Sequence, residues 1–204
     1  MTKTQAGRPL SEKILQLSAD TLRERISIGD LLSALGDRAT AALMFIFAFP
    51  NVLPTPPGTS TVLGAPLIFL AAQLMLGRAP WLPAFVTKRS MMRADFSALA
   101  KRIVPWLVRA ETLLRPRLAG LARPPMEHVI GLLALVLAVV LVLPIPLGNM
   151  LPALAISLLA LGVLERDGVW VLAGLAVSVA AAGLVSGVVF AVFKAIVYFF
   201  TRVL

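Results

Sequence analysis

The sequence predicts an all-α integral membrane protein made of two internal repeats and a C-terminal transmembrane helix or hairpin. Each repeat is a Pro/Gly-broken helical hairpin, re-entrant or fully spanning, preceded by an amphipathic helix. Three observations predict this. The 204 residues are 59% hydrophobic and only 14% charged, against about 25% charged in ordinary soluble domains. Residues 39–77, 129–164 and 168–193 contain no charged residue at all, more apolar helix than a soluble domain of this size can bury. Finally, LPTPPG recurs as LPIPLG. Leu53, Pro54, Pro56 and Gly58 correspond to Leu143, Pro144, Pro146 and Gly148 at a constant offset of 90 residues.

One membrane domain, 1–204, divides into five parts. Residues 1–38 are polar and hold two amphipathic helical patterns. In SEKILQLSADTLRER, Ser11 is a capping candidate and Ile14, Leu15, Leu17 and Leu22 recur near helical spacing. In SIGDLLSALG, Ser27 and Asp30 form a capping box and Gly36 ends the helix. No 7–15-residue apolar core precedes residue 38, so no cleaved signal peptide is expected.

Residues 39–77 form the first broken hairpin. Its arms are short: 39–53 and 62–76 are 15 residues each, about 22 Å of helix against a hydrocarbon core of about 30 Å. Either the hairpin turns inside the membrane, or its arms are tilted spans joined at the far surface. A turn inside lipid leaves backbone groups unpaired unless it lies against protein or a wet cavity. The re-entrant reading therefore expects the two breaks to be buried together.

Residues 78–123 are basic and interrupted. Phe96, Leu99, Ile103, Trp106 and Ala110 alternate with Lys101, Arg102 and Arg109 in a basic amphipathic helix, kinked or stopped near Pro105. Residues 124–168 form the second broken hairpin, entered by Glu127 as the first is by Asp37. Residues 169–204 supply one long tilted span or a hairpin turning near Ser186 and Gly187, with the break favoured because 32 apolar residues would make about 48 Å of helix. Gly183 and Gly187 form a GxxxG pair, which packs helices within the subunit or across a homodimer.

Six of the 19 Lys and Arg residues fall in 1–38 and ten in 78–123. The positive-inside rule puts both segments on the cytoplasmic side of a multi-pass protein. The excess of positive charge, +9, then reads as orientation and contact with anionic lipid, not as nucleic-acid binding.

The breaks carry uncharged polar residues: Asn51, Thr55, Thr59, Ser60 and Thr61 in the first, Asn149 in the second, with Gln73 farther along the outgoing arm. Thr59 and Asn149 are related by the 90-residue offset. These residues either line a solute site between the breaks, as in transporters with interrupted helices, or satisfy loose backbone groups at a turn. An enzyme needs carboxylates, a metal site or a nucleotide site. The chain has no cysteine and one histidine, His128. Glu127, His128, Glu165 and Asp167, at the arm ends, are the candidates for a titratable gate. No catalytic residue, cofactor or metal is expected.

The stretches LSEKILQL, ISIGDLLSALGDR, FPNVLPTPPGTSTVLGAPLIFLAAQLMLGRAPWLP and LVLPIPLGNMLPALAISLLALGVLERDG resemble the ExoD family of bacterial membrane proteins, over most of residues 10–170. The resemblance implies an inner-membrane protein linked to exopolysaccharide synthesis and carries over no catalytic residue. Two functions fit it: a small inverted- or internal-repeat transporter of an unidentified small solute, and a non-catalytic scaffold for the synthesis machinery.

Overall fold

The structure is a computed structural model that describes residues 10–20, 24–53, 59–78, 80–81, 87–88, 90–113, 118–122, 124–143 and 149–203. It is mostly helical. Pro54, Thr55, Pro56, Gly58, Pro144, Pro146 and Gly148 lie outside the described residues, as does Leu22.

The N-terminal part has a small core of its own, and Ile14 and Leu35 join it to the main apolar core. Helix α1 (Leu10–Ala19) precedes strand β1 (Arg25–Ser27), which runs directly into α2 (Ile28–Leu35). Ser11 falls inside the first turn of α1 and not before it. The capping box at α2 is present: Ser27 Oγ accepts from the Asp30 amide, and the Ser27 amide donates to Asp30 Oδ2 at 2.9 Å. Gly36, at φ 56°, terminates α2 in a conformation few residues other than glycine accept. Strand β1 pairs antiparallel with β2 (Ser90–Met92), which opens α5 (Arg93–Leu113). Arg25 fixes the ribbon by donating to the Ser90 hydroxyl and carbonyl at 3.0 and 3.1 Å. Ile26, Phe96 and Ala100 form a small core beneath it with Ile14, Leu17 and Leu31. Helix α5 continues through Pro105, so the proline does not stop it. Lys101 and Arg102 are exposed on it.

The main core lies in the bundle of α3 (Ala39–Ala48), α4 (Thr59–Met75), α6 (Met126–Val142) and α7 (Met150–Glu165). A 3-10 segment, Phe49–Val52, extends α3 towards the first break. Among these four helices, α4 packs most extensively on α6 and α3 on α7, so their principal contacts run between the two hairpins. Helices α4 and α6 are antiparallel and very close. A Cβ added at Gly131 would lie 2.4 Å from the Met75 amide nitrogen, and one at Gly64 would lie 2.8 Å from Val142 Cγ2. Only residues without side chains permit that approach.

The bundle is apolar outside as well as inside. On α6, Ile130, Ala134, Leu137, Ala138 and Leu141 face the core, while Val129, Leu132, Val136 and Val139 are exposed. A helix in water ordinarily shows a polar outer face.

Helix α8 (Gly168–Val203) is one unbroken helix of 36 residues. This corrects the expectation of a break near Ser186 and Gly187. Both residues are helical, and Ser186 Oγ donates to the Ala182 carbonyl at 2.6 Å without interrupting the helix. Helices α7 and α8 form a tight antiparallel hairpin. Arg166 takes the left-handed cap at φ 56°, and Asp167 Oδ1 accepts from the Val169 amide at 3.0 Å. Gly162 faces Val171, and Gly174 faces Leu159. Ala181 is the last buried residue of α8 among the described side chains. Within α8, Gly168–Val188 is the one straight helical stretch among the described residues long and apolar enough to cross a membrane. Ser60–Met75, Met126–Val142 and Met150–Glu165 are apolar but shorter.

Candidate functional site

The residues that flank the two breaks are brought together by the antiparallel pairing of α4 and α6. That pairing sets the N-terminal end of α4 beside the C-terminal end of α6. Asn149, immediately before α7, closes the group. Its Nδ2 donates to Ser60 Oγ at 2.9 Å and to the carbonyls of Leu141 and Leu143, each at 3.1 Å. Two hydrogens are shared among three acceptors. The two carbonyls fix which end of the amide is nitrogen, since reversing it would set oxygen against oxygen. Thr61 Oγ1 donates to the Val142 carbonyl at 3.1 Å. Asn149 and Thr61 thus satisfy the last carbonyls of α6, which have no partner within their own helix.

Asn51 lies in the 3-10 segment at the entry to the first break and is 2% exposed. Its Nδ2 donates to the Phe47 carbonyl at 2.9 Å. Among the described residues, no donor reaches Asn51 Oδ1 or Asn149 Oδ1, although both atoms are buried. Thr59 is the first residue of α4, beside Ser60. The described partner of Asn149 across the breaks is Ser60, one position from the Thr59 selected by the offset.

Gln73 is not part of this group. It lies 13 residues along α4 from Ser60, about 20 Å away. Both ends of its amide are occupied: Nε2 donates to the Trp81 carbonyl at 3.1 Å, and Oε1 accepts from the Trp81 amide at 2.9 Å. This buried side chain fixes the chain that leaves α4.

Glu127, His128, Glu165 and Asp167 are gathered at that same opposite end. Glu165 pairs with Arg38 at 3.9 Å, with side chains 12% and 14% exposed. His128 lies against Gly77, where an added Cβ would be 2.6 Å from Nε2. Asp167, 2% exposed, caps α8. The four residues lie at helix ends, away from the residues that flank the breaks. Arg38 was not singled out from sequence. The available signal was its position beside Asp37, which the 90-residue offset carries onto His128 beside Glu127. Gly183 and Gly187 face open space: no described atom would come within 4 Å of an added Cβ at either.

The family model for exopolysaccharide synthesis, ExoD, matches residues 10–187. The chain belongs to the ExoD family. Protein ExoD of Rhizobium meliloti (strain 1021) is 31% identical over 172 residues, covering 82% of this chain and 72% of its own. A protein of Synechocystis sp. (strain ATCC 27184 / PCC 6803 / Kazusa), described only as uncharacterized, is 29% identical over 172 residues, 83% of this chain and 81% of its own. No solved structure matches significantly. ExoD membership ties the chain to exopolysaccharide synthesis. The family match includes both breaks and ends in the exposed half of α8.

Proposed function

We propose that this ExoD-family chain is an inner-membrane protein that moves a small solute for exopolysaccharide synthesis, through a polar site between its two breaks. It is not an enzyme in this reading and uses no cofactor. The observation that carries the proposal is the meeting of Asn149 with Ser60 across the breaks, inside a bundle whose outer surface is apolar. Half-helices that end on a shared polar site are what a small carrier needs.

The element bounds support an internal repeat. An offset of 90 carries α4, Thr59–Met75, onto residues 149–165, where α7 spans Met150–Glu165. The residues flanking both breaks lie at one end of the bundle, which favours parallel over inverted repeats. Helix α8 supports a re-entrant depth. The contacts of Gly162 with Val171 and of Gly174 with Leu159 extrapolate to residue 183 opposite residue 150. Trp170 and Tyr198 then lie 13 and 15 residues to either side of that level, a span of about 42 Å. That span matches a whole bilayer of about 40–45 Å with its interfacial aromatic belts. In this placement Ser60 and Asn149, which flank the breaks, sit near the membrane midplane. The basic segments 1–38 and 78–123 face the cytoplasm and anionic lipid. The open face around Gly183 and Gly187 is available to a second copy.

The test is Asn149→Ala in the host, with secreted polysaccharide and membrane abundance measured together. The proposal expects secretion to fall to the level of a deletion strain while the protein remains in the membrane. Wild-type secretion from that variant would contradict it. Loss of secretion only on charge reversal at Arg102 and Arg109 would favour a scaffold acting through exposed basic side chains such as Lys101 and Arg102.

A further inference from the structure

We propose that the oxygens of Asn51 and Asn149 form a binding site for a monovalent metal cation between the two breaks. The inference rests on the transport reading and supplies its coupling ion.

Both residues lie at the same end of the bundle. The Arg38 contact with Glu165 sets the start of α3 opposite the end of α7. Asn51 follows Arg38 by 13 residues, about 20 Å of helix. Helix α7 returns 16 residues, about 24 Å, from Glu165 to Met150, just after Asn149. The 3-10 segment that contains Asn51 packs on α7.

The chemistry left over there has one sign. Each amide turns its nitrogen to backbone carbonyls and leaves its oxygen over: Phe47 accepts from Asn51 Nδ2, and Leu141 and Leu143 accept from Asn149 Nδ2, which Ser60 Oγ shares. Both oxygens are buried and without a partner among the described residues. A buried polar atom without a partner is costly, and each one in a native structure calls for an explanation, a bound ion among them. Neutral acceptor oxygens attract a cation and repel an anion. The C-terminal ends of α3 and α6, which arrive at the same level, add partial negative charge.

Charge decides which cation. Residues 39–77 and 129–164 contain no carboxylate. Calcium and magnesium sites rely on carboxylates, and a proton relay needs a titratable group on the path. An alkali cation held by amide and backbone oxygens needs neither. The N-terminal ends of α4 and α7 also reach this level and would suit an anion. However, the side-chain atoms without described partners at this level, Asn51 Oδ1 and Asn149 Oδ1, are acceptors; the one such donor among the described residues, Arg38 Nε, lies at the opposite end of the bundle.

The experiment is thermal unfolding of the full-length purified protein in nanodiscs. NaCl or KCl replaces N-methylglucamine chloride at constant ionic strength, with N-methylglucamine phosphate as the anion arm. The site predicts a saturable rise in the unfolding temperature with Na⁺ or K⁺ and none with phosphate. Asn51→Leu should abolish the cation dependence. Asn51→Asp, nearly isosteric, should fold and shift the cation midpoint to at least tenfold lower concentration. An unfolding temperature indifferent to the cation, a response preserved in Asn51→Leu, no shift in Asn51→Asp, or a response to phosphate alone overturns the proposal. Any of these outcomes together with lost secretion in Asn149→Ala leaves the transport reading standing. Wild-type secretion in Asn149→Ala sinks that reading whatever the cation does.

Discussion

Asn149 donates to the Ser60 hydroxyl oxygen at 2.9 Å, which joins the residues that follow the two breaks although they are 89 positions apart. The same amide closes the end of α6 on the carbonyls of Leu141 and Leu143. One side chain, on the residue that precedes α7, therefore ties together the ends of α4 and α6. Its loss should affect stability as well as function. Asn149→Ala leaves the part-buried Leu141 carbonyl without this donor, at a cost of about 1–3 kcal/mol. Unfolding measured in detergent should show that drop, while the variant still reaches the membrane.

Close helix approach and open helix surface predict opposite responses to alanine. At Gly131 a methyl would strike the Met75 backbone at 2.4 Å, and backbone cannot rotate away as a side chain can. Gly131→Ala should therefore cost about 3 kcal/mol or more and reduce the yield of folded protein. Gly183→Ala and Gly187→Ala meet no described atom within 4 Å. They should leave monomer stability unchanged or slightly raised. If a second copy uses this face, cross-linking in the membrane should fall in these two variants alone.

Gln73 anchors the segment after α4 through two hydrogen bonds to the Trp81 backbone. Gln73→Ala should lower stability by about 1–3 kcal/mol while secretion at permissive temperature stays near wild type. A loss of secretion without a loss of stability would return Gln73 to the solute site.

Arg38 and Glu165 are both largely buried and 3.9 Å apart. Removing one charge should cost more than removing both, because the survivor is left desolvated. In a double-mutant cycle with Arg38→Gln and Glu165→Gln, a coupling of about 1–3 kcal/mol is expected. Additive effects would show that the pair does not hold α3 to α7.

Much of this was legible in the sequence because it is local or periodic. The Ser27 and Asp30 capping box, the stop at Gly36 and the apolar arms all follow from short-range chemistry. The choice between one long helix and a hairpin was not legible at α8. Length favoured a break near Ser186 and Gly187, yet Ser186 satisfies its hydroxyl on the preceding turn, at the Ala182 carbonyl, and the helix runs on. Likewise Pro105 sits inside α5 without ending it. At the site, the sequence offered Thr59 as the partner of Asn149, but the described contact is Ser60. A 90-residue offset fixes register along the chain, whereas side-chain contact depends on helix rotation, which composition does not encode. Gln73 was misleading for a related reason. A polar residue on an apolar arm signals a need for partners, and Trp81, eight residues on, supplies them.

The central claim is that the two breaks meet inside the membrane. The chain has no cysteine, so Gly58→Cys and Gly148→Cys introduce single probes without further changes. The direct measurement is labelling of each variant by a membrane-impermeant maleimide, applied to intact cells and to inverted membranes. The account predicts that both positions are poorly labelled from either side. Ready labelling from outside would contradict it and place the breaks at the far surface.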